Sequence, residues 1–240
     1  MENLGKQFKL IFNNLYKLYR VVGLFKFKCF LVKTCHRIIL EKKLEHKIKN
    51  YTNNSSFQVQ NVIDYGAGLP RYKSLLPNAD WNYFDKYPKN NEVKYASTDF
   101  IPFDKTDLLI CIEVLEYLNH EETKSLMKEI SRLIKVNGFA ILTTPFLFPI
   151  KHNEITRIAN PNILKNFLDE KYSLQFYSFG NFFSIMHDAI HQFICRNKFR
   201  FFRLFLVFFI LPLKIFAMIS EKFYFLNLPS GYLITIKSKN

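Results

Sequence analysis

Asp64-Tyr65-Gly66-Ala67-Gly68 sets a carboxylate and two glycines, one residue apart, behind the β-branched pair Val62-Ile63. A strand that ends on such a turn brings backbone close to a ligand, because glycine has no Cβ to hold it away. Nucleotide binding is the chemistry that suits this arrangement. A second acid strengthens it. Trp81-Asn82-Tyr83-Phe84-Asp85 reads as a short strand ending in a carboxylate, 21 residues after Asp64. At the end of a neighbouring strand, that acid can accept hydrogen bonds from both hydroxyls of a ribose. The third glycine of the dinucleotide fingerprint is absent, since position 70 is Pro70.

The elements around these residues read as strands alternating with helices. A helix is expected from about Arg71 to Leu76, and an extended run over Lys94–Phe103 with Asp99 near its end. Asp107–Leu118 begins as a near-continuous apolar strand, the pattern of a strand buried on both faces. Glu121–Lys135 reads as an amphipathic helix, with Leu126, Ile130, Leu133 and Ile134 on one side. Asn137-Gly138 breaks it, and Phe139–Phe146 is the next strand. Such alternation implies a parallel sheet with right-handed crossovers.

The strings VIDYGAG, NYFD, STDFIPF, LLICIEVLEYL, EISRLIKVNGFAILTTPF and PFLFPI occur in that order. From about Val59 to Asp169 the chain resembles the class I S-adenosylmethionine-dependent methyltransferases, within them a group found with bacterial glycan biosynthesis. Two positions depart from the pattern: Pro70 replaces a common glycine, and Ala67 stands where cysteine is frequent. The resemblance implies an α/β fold, a Rossmann-like seven-stranded sheet with helices on both faces. It implies S-adenosyl-L-methionine as cofactor. Asp64, Gly66 and Gly68 would line its methionine and ribose side, and Asp85 would take the ribose hydroxyls. Asp99, with the backbone around Phe100 and Ile101, would face the adenine. Glu113 would lie at the floor between cofactor and acceptor. Ser173–Ser178 would be the sixth strand and Gly231–Ser238 an antiparallel seventh.

Methyl transfer asks for an acceptor held in line with an activated methyl group, and a base for the acceptor proton. The loop after the fifth strand offers candidates. His152 is the first choice on intrinsic pKa, Glu154 the second, and Arg157 could grip an anionic acceptor. No Asn-Pro-Pro-Tyr-like string follows the fourth strand, which argues against a DNA amino-methyltransferase. No Pro-Cys pair stands there either, which argues against attack by a cysteine on a pyrimidine. Two other readings stay open: a nicotinamide-dependent Rossmann oxidoreductase, and a degenerate membrane-tethered scaffold without turnover.

The net charge of +14 is uneven. Residues 1–50 hold 12 basic against 3 acidic side chains, residues 51–180 hold 14 against 15, and residues 181–240 hold 8 against 2. A nearly neutral core therefore lies between two basic flanks. Leu4, Phe8, Ile11, Leu15, Leu18 and Val22 recur at helical spacing in the first flank, with lysines and an arginine off that stripe. In the second, Arg196, Lys198, Arg200 and Arg203 precede the uncharged run Leu204–Leu213. Basic amphipathic helices beside aromatic-rich apolar segments suit a membrane interface, and nucleic acid is not the expected partner. Residues 204–219 fall short of the roughly 20 apolar residues a span needs. The expected organisation is a basic helical extension (1–50), a cofactor-binding core (51–180), a hydrophobic helical insertion (181–228) and a final strand (229–240). Peripheral membrane contact would run through residues 1–50 and 196–226, and a saccharide, lipid-linked glycan or other membrane-proximal molecule would be the acceptor. Cys29, Cys35, Cys111 and Cys195 show no paired spacing, and no secretory signal is read at the N-terminus, so a cytoplasmic protein at the inner membrane surface is expected. His187 and His191 lie one helical turn apart without a third ligand in sequence, so no metal is expected.

Overall fold

The computed structural model describes residues 34–54, 58–88, 91–93, 97, 99, 101–102, 104–145, 161–196, 210, 212–221 and 229–238. The chain divides into two units, Met1–Thr34 and Cys35–Asn240, and all described residues but Thr34 lie in the second. That unit is built on one mixed sheet. Its strands are β1 (Asn61–Tyr65), β2 (Asp80–Phe84), β3 (Thr106–Cys111), β4 (Ile134–Pro145), β5 (Tyr172–Phe179) and β6 (Gly231–Ser238). They lie in the order β2-β1-β3-β4-β6-β5. The first four run parallel; β6 pairs antiparallel with both β4 and β5. The antiparallel final strand implied by the family resemblance is therefore present. Six strands make up the described sheet. The remaining expected one falls on residues 94–103, most of which lie outside the described residues.

Strand alternation explains why β3 reads as an unbroken apolar run. Val62, Leu108, Ile110, Phe139 and Ile141 face one side of the sheet. Ile63, Leu109, Cys111, Ala140 and Leu142 face the other. Successive side chains point to opposite faces, so a sheet covered twice needs apolar residues at every position. One cover is α1 (Cys35–Asn54), which buries Ile39, Leu40, Leu44 and Ile48 against the first face. The other is α2 (His120–Leu133), which buries Leu126, Met127, Ile130 and Leu133. Residues 35–50, read from the sequence as part of an extension, thus form one layer of the core. Their apolar stripe belongs to the sheet, and the compact unit begins at Cys35.

Each helix has a specific start. Asn119 Oδ1 accepts from the Glu122 N–H at 2.9 Å, and Glu122 returns a carboxylate to the Asn119 N–H at 3.0 Å, capping α2. α1 borrows its cap from a distant residue. The Cys35 and His36 N–H groups donate to the two carboxylate oxygens of Asp188, at 2.7 and 2.9 Å. An acid at that end satisfies orphan donors and meets the positive pole of the helix dipole. Asp188 lies on α3 (Phe182–Arg196), so the insertion starts as a helix docked against α1. Residues 212–220 form a further helical stretch, which buries Lys214 and Ala217 and exposes Ile215, Phe216 and Ile219. Among the described residues no helix is long and apolar enough to cross a membrane.

One expected element differs. In place of a helix over Arg71–Leu76 there is a single 3₁₀ turn, Lys73–Leu75. Pro77 follows Leu76 and disfavours helical backbone there; Leu76 leaves at φ −140° while its carbonyl accepts the Trp81 indole N–H at 2.9 Å.

Leu40 is fully buried between α1 and the sheet. Leu40→Ala is expected to destabilise the protein by about 2–5 kcal/mol through lost burial and the cavity left behind. Urea unfolding followed by circular dichroism measures it, and a change below about 1 kcal/mol would contradict α1 as a core layer.

Candidate functional site

At the carboxyl edge of the parallel strands the chain leaves β1 through Gly66 and Gly68, both at positive φ (+75° and +53°). L side chains rarely adopt that backbone. Gly66 is doubly constrained, since a Cβ there would stand 2.3 Å from Val114 Cγ2. The turn is tied to the neighbouring strand by the Gly66 and Ala67 N–H groups, which donate to the Phe84 carbonyl at 2.8 and 3.0 Å. Asp85 completes it. Its Oδ2 accepts the Gly68 N–H at 2.8 Å and its Oδ1 accepts the Tyr87 N–H at 2.7 Å. The predicted turn and the predicted ribose acid are thus brought into direct contact.

Asp64, the last-but-one residue of β1, is 2% exposed, and its Oδ2 has no hydrogen-bond partner among the described residues. Burial raises its pKa to about 7; Arg37 and Arg71 pull the other way and Asp85 adds to the rise. A buried carboxyl oxygen left without a partner beside a glycine turn is a feature that calls for an explanation beyond packing. Glu116 is similar: 4% exposed, raised to about 8 by burial, with Oε2 unpartnered.

Glu113 lies just past the end of β3 with φ +56°. Its N–H donates to Thr143 Oγ1 at 3.0 Å. Its carboxylate meets the first turn of α1: Arg37 Nη1 donates to Oε2, and His36 Nε2 is 3.5 Å from Oε1. Arg37 also donates from Nη2 to the Tyr72 hydroxyl and sits over the Tyr72 ring at 5.5 Å. Burial opposes the Arg37 charge, but Glu113, Tyr72 and Glu41 outweigh it and its pKa is raised. Burial lowers the His36 pKa against the pull of Glu113 and Asp188. Its Nδ1 faces Ser230 Oγ at 3.2 Å.

The other predicted residues fall differently. Asp99 is exposed, and its Oδ2 accepts the Ser97 hydroxyl at 2.7 Å. Ile101 is a core residue whose carbonyl accepts from Arg132 Nη1 at 3.2 Å. Phe100 and the three acceptor-side candidates, His152, Glu154 and Arg157, lie outside the described residues. Arg37, His36, Tyr72 and Glu116 were not singled out in the sequence. The spacing of Ile39, Leu40, Leu44 and Ile48 could have identified α1 as a core helix, but not its partners. For His187, the structure adds Cys35 and Asp188 within 4.8 Å, all buried. Asp188 Oδ1 already accepts the Cys35 N–H, lies 2.6 Å from His187 Nδ1, and has buried Lys214 as a nearby cation, so this cluster closes on itself.

The fold, with parallel strands to one side and an antiparallel β6 inserted between β4 and β5, superposes on solved structures. A protein of Galdieria sulphuraria described as a candidate sarcosine dimethylglycine methyltransferase superposes with a TM-score of 0.51 at 11% identity. The match covers 83% of this chain and 85% of that one. The fold is the Rossmann-like one of class I methyltransferases. A S-adenosylmethionine-dependent methyltransferase of Archaeoglobus fulgidus matches at 14% identity and a TM-score of 0.46, over 82% of this chain and 94% of its own. No family model matches the chain. In sequence it is 28% identical over 97 residues to an uncharacterized protein of Methanocaldococcus jannaschii. That alignment covers 38% of this chain and spans only 39% of the relative's length.

The Asp64 shift has a readable consequence. Its folded pKa lies above the usual value near 3.8, so the stability it contributes is fully present below pH 3.8 and is lost as pH rises to about 7. Asp64→Asn removes that loss. The variant is expected to gain in urea midpoint over the wild type between pH 5 and pH 8, with the gain largest at pH 8. A difference that does not change with pH would refute the buried, protonated Asp64.

Proposed function

We propose that the protein is an S-adenosyl-L-methionine-dependent methyltransferase. The observation that carries this is the positive-φ Gly66–Gly68 turn hydrogen-bonded to Asp85 at the end of the adjoining strand. The fold shared with methyltransferases and the ordered sequence motifs point the same way. Asp85 would accept the ribose hydroxyls, and the free oxygen of Asp64 would accept from the amino-acid end of the cofactor. The open backbone at Gly68 leaves room for that cofactor to lie against the turn. When bound, the sulfonium supplies the activated methyl group. The chain's own contribution is to hold the acceptor in line with that group and take its proton. Glu113, half-buried and braced by Arg37 and His36, is the described carboxylate best placed to border the acceptor.

The acceptor we propose is a saccharide, a lipid-linked glycan or another membrane-proximal molecule. Two basic flanks support this reading, as do the exposed Ile215, Phe216 and Ile219 on the helical stretch 212–220. An apolar stripe beside basic residues suits the interfacial layer of an anionic membrane.

Calorimetric titration is expected to show binding of S-adenosylmethionine and none of NAD. Asp85→Ala should weaken the former at least tenfold, as suits a charged hydrogen-bond partner worth about 1.5–3 kcal/mol. Binding of NAD alone would favour the oxidoreductase reading. Transfer of labelled methyl into a membrane extract tests turnover, and no transfer by a cofactor-binding protein would leave only a scaffold.

Membrane contact has its own test. Because residues 35–54 are core, the deletion that tests the first flank is 1–34. That truncation, combined with Phe216→Glu and Ile219→Glu, is expected to move the protein from the membrane pellet to the supernatant. Unchanged pelleting would count against both contacts.

A further inference from the structure

The far end of α1 borders a cavity that cofactor binding does not use. It has a volume of about 340 Å³ and is lined by Lys47, Asn50, Tyr51, Phe139, Gln175, Tyr177, Thr235 and Lys237. It opens over β4, β6 and β5 where Phe139 pairs with Lys237 and Gln175 with Thr235. Phe139 lies six residues before Pro145 on β4, which is about 20 Å along the strand from the carboxyl edge. Asn50 lies thirteen residues beyond Arg37 on α1, again about 20 Å. The cavity is therefore a separate place from the glycine turn.

Its chemistry is one-sided. Two lysines converge on it and no carboxylate lines it. Lys47 Nζ lies 3.2 Å from the centre of the Tyr177 ring and Lys237 Nζ 5.0 Å from that of Tyr51, so each ammonium rests on an aromatic face. Among the described residues neither lysine has an acidic partner. Asp107 influences Tyr51, but its charge is taken up by Lys135 and by the Gln60 and Asn61 N–H groups. The rings are held in place: the Tyr177 hydroxyl donates to Gln175 Oε1 at 2.6 Å, the Tyr51 hydroxyl donates to the Asn137 carbonyl, and Tyr51 lies 3.6 Å from Phe139, ring centre to ring centre. Two point charges suit a phosphate. The Asn50 and Gln175 amides and the Thr235 hydroxyl suit hydroxyl groups, and the Tyr51–Phe139 floor suits a flat, hydrocarbon-bearing ring face.

We infer that this cavity binds a small phosphorylated polyol, a sugar phosphate in size and chemistry, through Lys47 and Lys237. The test uses the full chain at low ionic strength, where such contacts are strongest. Glucose 6-phosphate, inorganic phosphate and glucose serve as probes in ligand-observed NMR and calorimetry. Saturable binding is expected for glucose 6-phosphate, weaker binding for phosphate and none for glucose. Lys47→Gln with Lys237→Gln should lose at least tenfold in affinity at an unchanged thermal midpoint. The paired substitutions Lys47→Arg and Lys237→Arg, which keep the charge, should stay within about threefold of the wild type. Absence of saturable binding by the wild type overturns the inference. So does equal binding by the Gln variant, or a loss in the Arg variant as large as in the Gln one.

Discussion

The carboxylate of Asp188 holds the site together from outside it. By accepting the Cys35 and His36 N–H groups it fixes the first turn of α1, a helix more than 150 residues away in sequence. That turn presents His36 and Arg37 to Glu113 and Tyr72. Without the cap, two backbone donors in a buried position would lack partners, at a cost comparable to lost hydrogen bonds. The insertion carrying Asp188 is thereby coupled to the carboxyl edge of the sheet, although neither α3 nor α1 contributes a strand.

The same edge concentrates features that oppose stability. Asp64 and Glu116 are buried carboxyls, each with an oxygen unpartnered among the described residues, and Glu113 takes a left-handed backbone that non-glycine residues seldom adopt. Gly66 is pressed so closely on Val114 that any side chain would collide. Strain and desolvation gathered at the carboxyl edge of the sheet are what the proposed cofactor would relieve by supplying the missing partners. The opposite end is quieter chemically, and its cavity is bordered by paired tyrosines and lysines.

Much of this was legible in the chain. The Asp64–Gly68 turn, the acid after β2, the unbroken apolar run of β3 and the amphipathic α2 follow from local residue type and from period-two or period-3.6 patterning, which depend only on near neighbours in sequence, while the last two strands were implied by the family resemblance. Pro77 also carried a local warning against a helix before it, which the broader pattern masked. The role of α1 was hidden because its charge count, rich in lysine, resembled that of the segment before it.

Tertiary structure alone decided the rest. The Asp188 cap, the Arg37–Glu113 pair, the His36–Ser230 contact and the convergence of Lys47 with Lys237 join residues from 76 to 194 positions apart. No sequence period encodes such pairings; they exist because the order β2-β1-β3-β4-β6-β5 and the docking of α1 bring those side chains together, the first three pairings at the carboxyl edge and the lysines at the other end. What the sequence determined was the type of turn and the sheet that delivers it. Which charges face that turn was decided by the packing of helices on the sheet, since burial is what makes a charge seek its partner.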